Sequence, residues 1–147
     1  VEAGLPLEIY GRFWVGNIDD GFVKGEYIHD NDLGAYFSSA KINLVNITEQ
    51  ESQFGIIPSR VYDIAASKGF IIAPYNKEIE TVFGDAIPMF KNADELKALY
   101  EQYINDPKAR AEKAEKAYKI AVSEYNADMF VQRINGLVEF LINEKKL

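Results

Sequence analysis

The hydrophobic pattern divides the chain into an alternating part and a helical part. Up to residue 90, four apolar runs rich in aromatic and β-branched residues are predicted as strands: Leu7–Trp14, Lys41–Ile47, Phe70–Tyr75 and Ala86–Phe90. Segments with polar residues between their apolar positions are predicted as helices: Asn31–Ala40, Pro58–Lys68, Lys77–Phe83, Asn92–Asp106, Pro107–Tyr125 and Ala127–Asn143. Residues 15–30 and 48–57 are predicted mainly as loops, the first with a short strand at its end.

Capping residues and glycines that end helices predict several of these helix boundaries. Asp30 or Asn31 is expected to cap the first helix, and Asn92 the fourth. Gly69 and Gly84 follow helical segments and are expected to end them. The second predicted helix therefore lies between a polar loop and a buried strand.

Alternating strands and helices predict an α/β fold of Rossmann-like type. The predicted strand, helix and strand between residues 41 and 75 have the size of a right-handed parallel crossover. We therefore predict one domain over residues 1–147, with a parallel sheet that helices flank on both faces and a helical C-terminal tail. Ligands of such sheets bind outside the carboxyl ends of the strands. Here this rim includes the loop 46–58 and the start of the helix behind it.

Composition narrows the classes of function. The net charge of the 147 residues is −7, which disfavours nucleic acid and anionic membranes as partners. Cysteine is absent, so disulfides, thiolate metal sites and a Cys nucleophile are excluded, and we expect a cytoplasmic protein. No apolar run reaches the ~18 residues of a membrane span. The chain starts without Met and close to strand-like sequence, from which we expect a fragment of a longer protein.

Several motifs of nucleotide and hydrolase chemistry are missing. The sequence has no phosphate-binding G-x-x-x-x-G-K-[ST] loop, no G-x-G-x-x-G after the first predicted strand and no G-x-S-x-G. The single histidine, His29, has no second His or Cys with which to form a metal site. His29 is therefore expected at a helix cap or in a loop, with a general base or a ligand contact as the alternative.

Polar residues at the start of the helix predicted from Pro58 form the main candidate site. A helix N-terminus presents free N–H groups and a positive dipole end, which suit a phosphate. Arg60 adds a planar fork for phosphate oxygens, and the carboxylate of Asp63 can accept hydrogen bonds from the vicinal hydroxyls of a ribose. With Ser59 beside them, they are a candidate site for a nucleoside diphosphate. The alternative is an exposed ion pair between Arg60 and Asp63.

Four further residues are weaker candidates for the same ligand. Gly11 and Arg12 follow the first predicted strand, where an arginine can meet a phosphate or simply lie on the surface. Asn46 and Thr48 follow the second predicted strand and can donate to a ligand or cap the loop.

The segment 55–83 resembles the C-terminal domain of GT-B-fold glycosyltransferases, in particular the CgeB-type (spore-maturation) group. The positions that match are Arg60, Tyr62, Asp63, Ala66, Gly69 and Phe83. The helix-and-strand stretch before the motif and the helical tail after it are also similar, so the resemblance covers residues 7–141.

The resemblance implies a domain that binds a nucleotide-diphosphate sugar as donor, with no bound metal needed for the transfer. By this resemblance, Asp63 binds the ribose of the donor. Arg12, near the first predicted strand, is the candidate for binding the diphosphate. An acid often stands eight positions before Asp63 in relatives, but this chain has Gly55 there, with Glu49 and Glu51 nearby. Relatives also need an N-terminal domain for the acceptor and the catalytic base, and this domain is expected as a missing partner.

Two other functions remain open at this stage. One is a non-catalytic α/β module that binds a nucleotide or, through its last helix, a partner protein. The other is a sugar-nucleotide epimerase, an enzyme of the same architecture, for which His29 offers little support.

Overall fold

A computed structural model describes residues 4–144, which form strands and α-helices in alternation and then a helical tail. The strands are β1 (Ile9–Tyr10), β2 (Val23–Gly25), β3 (Asn43–Leu44), β4 (Ile71–Pro74) and β5 (Met89–Phe90). The helices are α1 (Asp30–Ser39), α2 (Glu49–Gln53), α3 (Ser59–Ala66), α4 (Lys77–Phe83), α5 (Ala93–Ile104), α6 (Pro107–Glu124) and α7 (Ala127–Glu144). The predicted α/β class is confirmed.

The strands form two small parallel sheets. β1 pairs with β2, and β4 lies between β3 and β5 in a second sheet. Asn43 aligns with Ile71 across β3 and β4, and Ala73 aligns with Met89 across β4 and β5. Parallel pairing brings the carboxyl ends of these three strands to one edge.

The strands are shorter than the apolar runs predict. β1 ends at Tyr10, because the next residue, Gly11, has a φ of +152° and a turn follows it. β3 and β5 are edge strands that pair only with β4, whose four residues limit the ladder. The short strand expected at the end of residues 15–30 is present as β2.

The core lies on both faces of β4. Ile71 and Ala73 point to one face, where they pack with buried residues of α3, α4 and α6. Ile72 points to the other face and packs with Phe70 and with Tyr103 of α5. Burial of the strand on both faces explains its continuous apolar run, because a strand with one wet face would alternate with polar residues.

One predicted loop contains a helix. Residues 48–57 include α2, whose N-terminus is a reciprocal capping box. The Glu51 N–H donates to the Thr48 hydroxyl oxygen at 3.2 Å, and the Thr48 N–H donates to a Glu51 carboxylate oxygen at 2.7 Å. The signal for this helix is the Thr-x-x-Glu spacing, which satisfies two orphan N–H groups at once.

Two predicted helix ends differ in detail. The N-cap of α1 is His29, one residue before the expected Asp30 or Asn31, and its side chain makes no capping hydrogen bond. At the end of α3 the left-handed residue is Lys68 (φ 57°), whereas Gly69 donates its N–H to Ile64 O at 2.9 Å. Gly69 is instead required by close packing, because a Cβ there would lie 2.8 Å from Phe37 O.

The last helix, α7, is exposed along its length. None of its residues is buried, and its apolar side chains are partly open to solvent: Phe130, Val131, Ile134, Leu137, Val138, Phe140, Leu141 and Ile142. No helix within residues 4–144 combines the length and the apolar character needed to cross a bilayer.

Candidate functional site

The candidate site lies where the chain leaves β3 and enters α3. Because β3 and β4 are parallel, the segment after Leu44 and the segment after Pro74 emerge at the same edge of the sheet. The first segment passes through Asn46 and α2 before it reaches α3. Buried Val61, Ile64 and Ala65 anchor α3 on the sheet, which leaves the opposite face of its first turn exposed.

The first turn of α3 has no side-chain cap. Its N-cap is Pro58, which makes no capping hydrogen bond, and its first turn carries no acidic residue. In contrast, α2, α4, α5 and α6 each begin at a residue whose side chain accepts from a backbone N–H. The N-terminal N–H groups and the positive dipole end of α3 are therefore not neutralised by a side chain of the first turn.

Arg60 and Asp63 do not form the ion pair that was the alternative interpretation. Both side chains are exposed, and neither takes part in an ion pair within residues 4–144. The charge of Arg60 stabilises the carboxylate of Glu51. The backbone N–H of Thr48, then the Thr48 hydroxyl and, less strongly, Arg60 lower the pKa of Glu51.

A pocket of about 310 Å³ lies between α3 and the junction of α6 with α7. Three of its residues come from α3: Ser59, Tyr62 and Asp63. Five come from the end of α6 and the start of α7: Glu124, Tyr125, Asn126, Phe130 and Arg133. Asp63 and Ser59 thus share a concave surface with residues that are distant in the sequence, whereas Arg60 does not line it.

Aromatic and charged side chains join α3 to the α6–α7 wall of this pocket and hold that wall together. The rings of Tyr62 and Tyr125 lie 4.9 Å apart between centroids, and the Arg133 guanidinium carbon lies 5.4 Å from the Tyr125 centroid. Arg133 also pairs with Glu124, at 3.5 Å between Nη2 and Oε2. Burial raises the pKa of the Tyr62 hydroxyl, Tyr125 adds to the rise, and Arg133 opposes it. Tyr62 is therefore a neutral hydrogen-bonding group at ordinary pH.

The other predicted site residues lie outside this pocket. The Thr48 hydroxyl is engaged in the capping box, where it donates to Glu51 Oε2 at 2.8 Å, while Asn46 is exposed. Gly11 and Arg12 lie in the turn after β1, and Arg12 is exposed. The role of these four residues in binding a ligand stays a prediction.

His29 is the N-cap residue of α1, which is one of the two places, a helix cap or a loop, expected for it. Its ring packs edge-on against Tyr27, with centroids 5.6 Å apart. In the part of the chain that the structure describes, no three His, Asp or Glu side chains cluster as a metal site would require.

Two features at the rim escaped the sequence analysis. Asn76, two residues after the end of β4, is buried, and its Oδ1 accepts from the N–H groups of Glu78 and Ile79, both at 3.0 Å. Its Nδ2 has no acceptor among residues 4–144. In addition, the carboxylate of Glu78 lies against Gly55, the position for which the resemblance described in the sequence analysis implies an acid. An Asn before a helical segment is a sequence signal for a cap, but nothing in the sequence places Glu78 beside residue 55.

Comparison with known proteins gives one match. A protein-family model described as glycosyl transferase-like matches residues 1–136. No curated protein and no solved structure matches the chain.

Proposed function

The chain belongs to the glycosyl transferase-like family, and from this premise we propose that it supplies the site for a nucleotide-diphosphate sugar donor in glycosyl transfer. The observation that carries the proposal is the start of α3, where uncapped N–H groups and Arg60 lie in the first turn and Asp63 follows in the next turn, with both side chains exposed at the rim of a parallel sheet. This is where ligands bind in open α/β sheets.

Arg60 and the N–H groups of α3 are assigned to the diphosphate. During transfer the bond between the sugar and the diphosphate breaks, and negative charge grows on the leaving diphosphate. A guanidinium and a positive dipole end that are already in place stabilise this charge without reorganising. No acid in the first turn of α3 competes for these donors, which supports the assignment.

Asp63 is assigned to the donor ribose. Its carboxylate accepts hydrogen bonds but donates none, so it suits two adjacent hydroxyl groups. The side chain is exposed and lines the pocket, together with the hydroxyl of Ser59. Since no ion pair within residues 4–144 involves Asp63, a ligand hydroxyl does not have to displace a cation from it.

Glu78 is assigned to the transferred sugar. The chain has no side chain at Gly55, but the Glu78 carboxylate occupies the neighbouring space, and a Cβ at residue 55 would stand 3.0 Å from its Oε1. An acid can therefore contact the sugar from α4 instead of from position 55. Hydroxyls of the sugar would be its hydrogen-bond donors.

A second domain is part of this proposal. We propose that the chain is the C-terminal half of a two-domain, CgeB-type hexosyltransferase whose N-terminal domain holds the acceptor and the catalytic base. The exposed apolar face of α7 supports such a partner, since large exposed apolar patches mark interaction sites. The same face would suit a non-catalytic interaction module. A cytoplasmic location also belongs to the proposal.

Nucleotide binding to the 147-residue chain tests the donor site. Calorimetry and protein-observed NMR against a panel of nucleoside diphosphates and nucleotide sugars should give one binder with a millimolar or lower Kd. Arg60→Ala and Asp63→Ala should each raise the Kd of this ligand about tenfold or more, as expected for the loss of charge-assisted hydrogen bonds.

Matched surface variants serve as controls. Lys97→Ala and Asp94→Ala change exposed residues of α5 and should leave the Kd unchanged. Absence of binding at millimolar concentrations, or equal binding by the parent and both α3 variants, would show that the site is wrongly assigned.

A further inference from the structure

The residues that line the pocket between α3 and the α6–α7 junction indicate which kind of ligand fits it. We propose that it is a subsite for a neutral sugar ring, formed jointly by Asp63 and Ser59 on one wall and by Asn126, Phe130 and Arg133 on the other. The inference deepens the proposed function and rests on it through Asp63. It adds the α6–α7 wall, which had no assigned role, and it excludes the diphosphate from this pocket.

The charges of the pocket favour a neutral ligand. Its lining contains two carboxylates, Asp63 and Glu124, and one guanidinium, Arg133. The guanidinium is paired with Glu124 at 3.5 Å, so the charge left facing the pocket is that of Asp63. A diphosphate would be repelled by this carboxylate, whereas sugar hydroxyls can donate to it. The cation suited to a phosphate, Arg60, does not line the pocket.

The apolar part of the lining favours a ring with a C–H face. Tyr125 packs against Tyr62 and Arg133, and 40% of its surface stays exposed. Phe130, in contrast, is 65% exposed and lines the pocket, so its ring is free to contact a ligand. One sugar ring can place its C–H face on Phe130 while its hydroxyls face Asp63 and Ser59. Asn126 shapes the wall, where its Oδ1 accepts from the Met129 N–H at 2.9 Å and its Nδ2 donates to Val122 O at 2.7 Å.

The size of the pocket agrees with a single ring. Its volume of about 310 Å³ lies at the lower end of the range of about 300–1,000 Å³ typical of small-molecule sites. This suits one ring with its substituents better than a base, a ribose, a diphosphate and a second sugar together. The ring can be the ribose of the donor nucleotide or a hexose of a saccharide, which share the same hydrogen-bonding chemistry.

Titration of the full chain with uncharged probes tests the inference and separates these two sources. Isotope-labelled protein is titrated with uridine, cytidine, adenosine and guanosine in one arm, with glucose, galactose and their methyl glycosides in a second, and with inorganic pyrophosphate in a third. A sugar subsite predicts that a nucleoside or a hexose shifts the amide resonances of Ser59, Asp63, Asn126 and Phe130. A shift by nucleosides alone identifies the ribose, and a shift by hexoses identifies a saccharide.

Variants on α7 supply the matched comparison. Phe130→Ala and Arg133→Gln should each lower the affinity for the uncharged ligand about three- to tenfold. The first substitution removes an aromatic contact, and the second removes the side chain that orders the α6–α7 wall. Phe140→Ala removes an equally exposed phenylalanine of the same helix outside the pocket and should change nothing. Because Phe130 is exposed, its replacement is expected to leave folding intact, and an unchanged thermal midpoint would verify this.

Three results would overturn the inference. The first is that no uncharged probe shifts these resonances, and the second is that pyrophosphate shifts them as strongly as a sugar does. The third is that a nucleotide binds the Arg60→Ala variant more weakly than the parent protein but binds the Phe130→Ala and Arg133→Gln variants with the affinity of the parent. That third result removes the sugar subsite and leaves the donor site of the proposed function intact. If a hexose binds in the pocket and no nucleotide binds anywhere, the subsite stands and the proposed function fails.

Discussion

The carboxylate of Glu78 lies against Gly55, so that a Cβ atom at residue 55 would stand 3.0 Å from Glu78 Oε1 and 3.2 Å from its Cδ. Gly55 has a φ of +66°, a conformation that glycine adopts without strain. Glycine at this position therefore serves two needs, a left-handed turn after α2 and space for an acidic side chain from α4. The proposal that Glu78 contacts the transferred sugar follows from this arrangement.

We predict that Glu78→Gln changes recognition of the sugar and spares recognition of the nucleotide. Affinity for the nucleotide sugar should fall about three- to tenfold, because one charge-assisted hydrogen bond becomes a neutral one, and affinity for the matching nucleoside diphosphate should stay the same. Calorimetry with both ligands gives the comparison. Glu80→Gln is the control, since Glu80 on the same helix accepts from the Tyr75 hydroxyl at 3.2 Å. Equal losses for both ligands would contradict the assignment.

The capping box of α2 predicts a pH dependence. Hydrogen bonds from the Thr48 N–H and hydroxyl, together with the charge of Arg60, lower the pKa of Glu51 in the folded protein. A carboxyl whose folded pKa is depressed contributes stability above its unfolded pKa, and the contribution disappears as the pH falls through the folded pKa. Helix α2 should thus stay capped at neutral pH and loosen in acid, below the ordinary titration range of a glutamate.

Side-chain NMR titration measures this shift directly. Glu51 should titrate below the ordinary range of a glutamate, because its pKa is lowered by the hydrogen bonds from Thr48. Thr48→Val removes the hydroxyl and should move the pKa of Glu51 upward, and Arg60→Ala should move it upward by less. A Glu51 pKa that is unaffected by Thr48→Val would show that the capping box does not cause the shift.

Gly69→Ala is predicted to destabilise the protein by about 2–4 kcal/mol. Its Cβ would lie 2.6 Å from Ile64 Cγ2, 2.8 Å from Asn43 Nδ2 and 2.8 Å from Phe37 O, and the last of these is a backbone atom that cannot rotate away. Chemical denaturation measures the change in the free energy of unfolding. The comparison is Gly136→Ala on α7, where a Cβ meets nothing within 4 Å and helix propensity predicts a gain of up to about 1 kcal/mol. Equal effects of the two substitutions would be inconsistent with this packing.

Asn76→Ala is predicted to lower the free energy of unfolding by about 2–3 kcal/mol. The substitution deprives the N–H groups of Glu78 and Ile79 of their acceptor, and at this buried site water does not readily replace it. Asn92→Ala removes the cap of α5 at an exposed position and should cost only about 1 kcal/mol. The same denaturation measurement compares the two. A larger loss for Asn92→Ala would show that burial does not set the cost.

Local signals in the sequence determined the order and type of most elements. Apolar runs marked the strands, and Asn92, Pro107 and the apolar spacing marked the helices of the tail, because caps and periodicity act over a few neighbouring residues. The same local rules placed Arg60 in the first turn of one helix and Asp63 in the turn that follows. The sequence also contains the Thr-x-x-Glu spacing of the Thr48–Glu51 capping box, but this spacing lies in a segment that was predicted as a polar loop.

Only the tertiary structure decided which of these residues face one another. The charge of Arg60 acts on Glu51, while Asp63 shares a pocket with Arg133, although only two residues separate Arg60 from Asp63 in the sequence. Strand lengths were likewise set by their neighbours, since β3 and β5 extend only as far as β4 can pair with them. The physical reason is that periodicity fixes the face of a helix or strand, whereas the packing of distant elements fixes what that face meets.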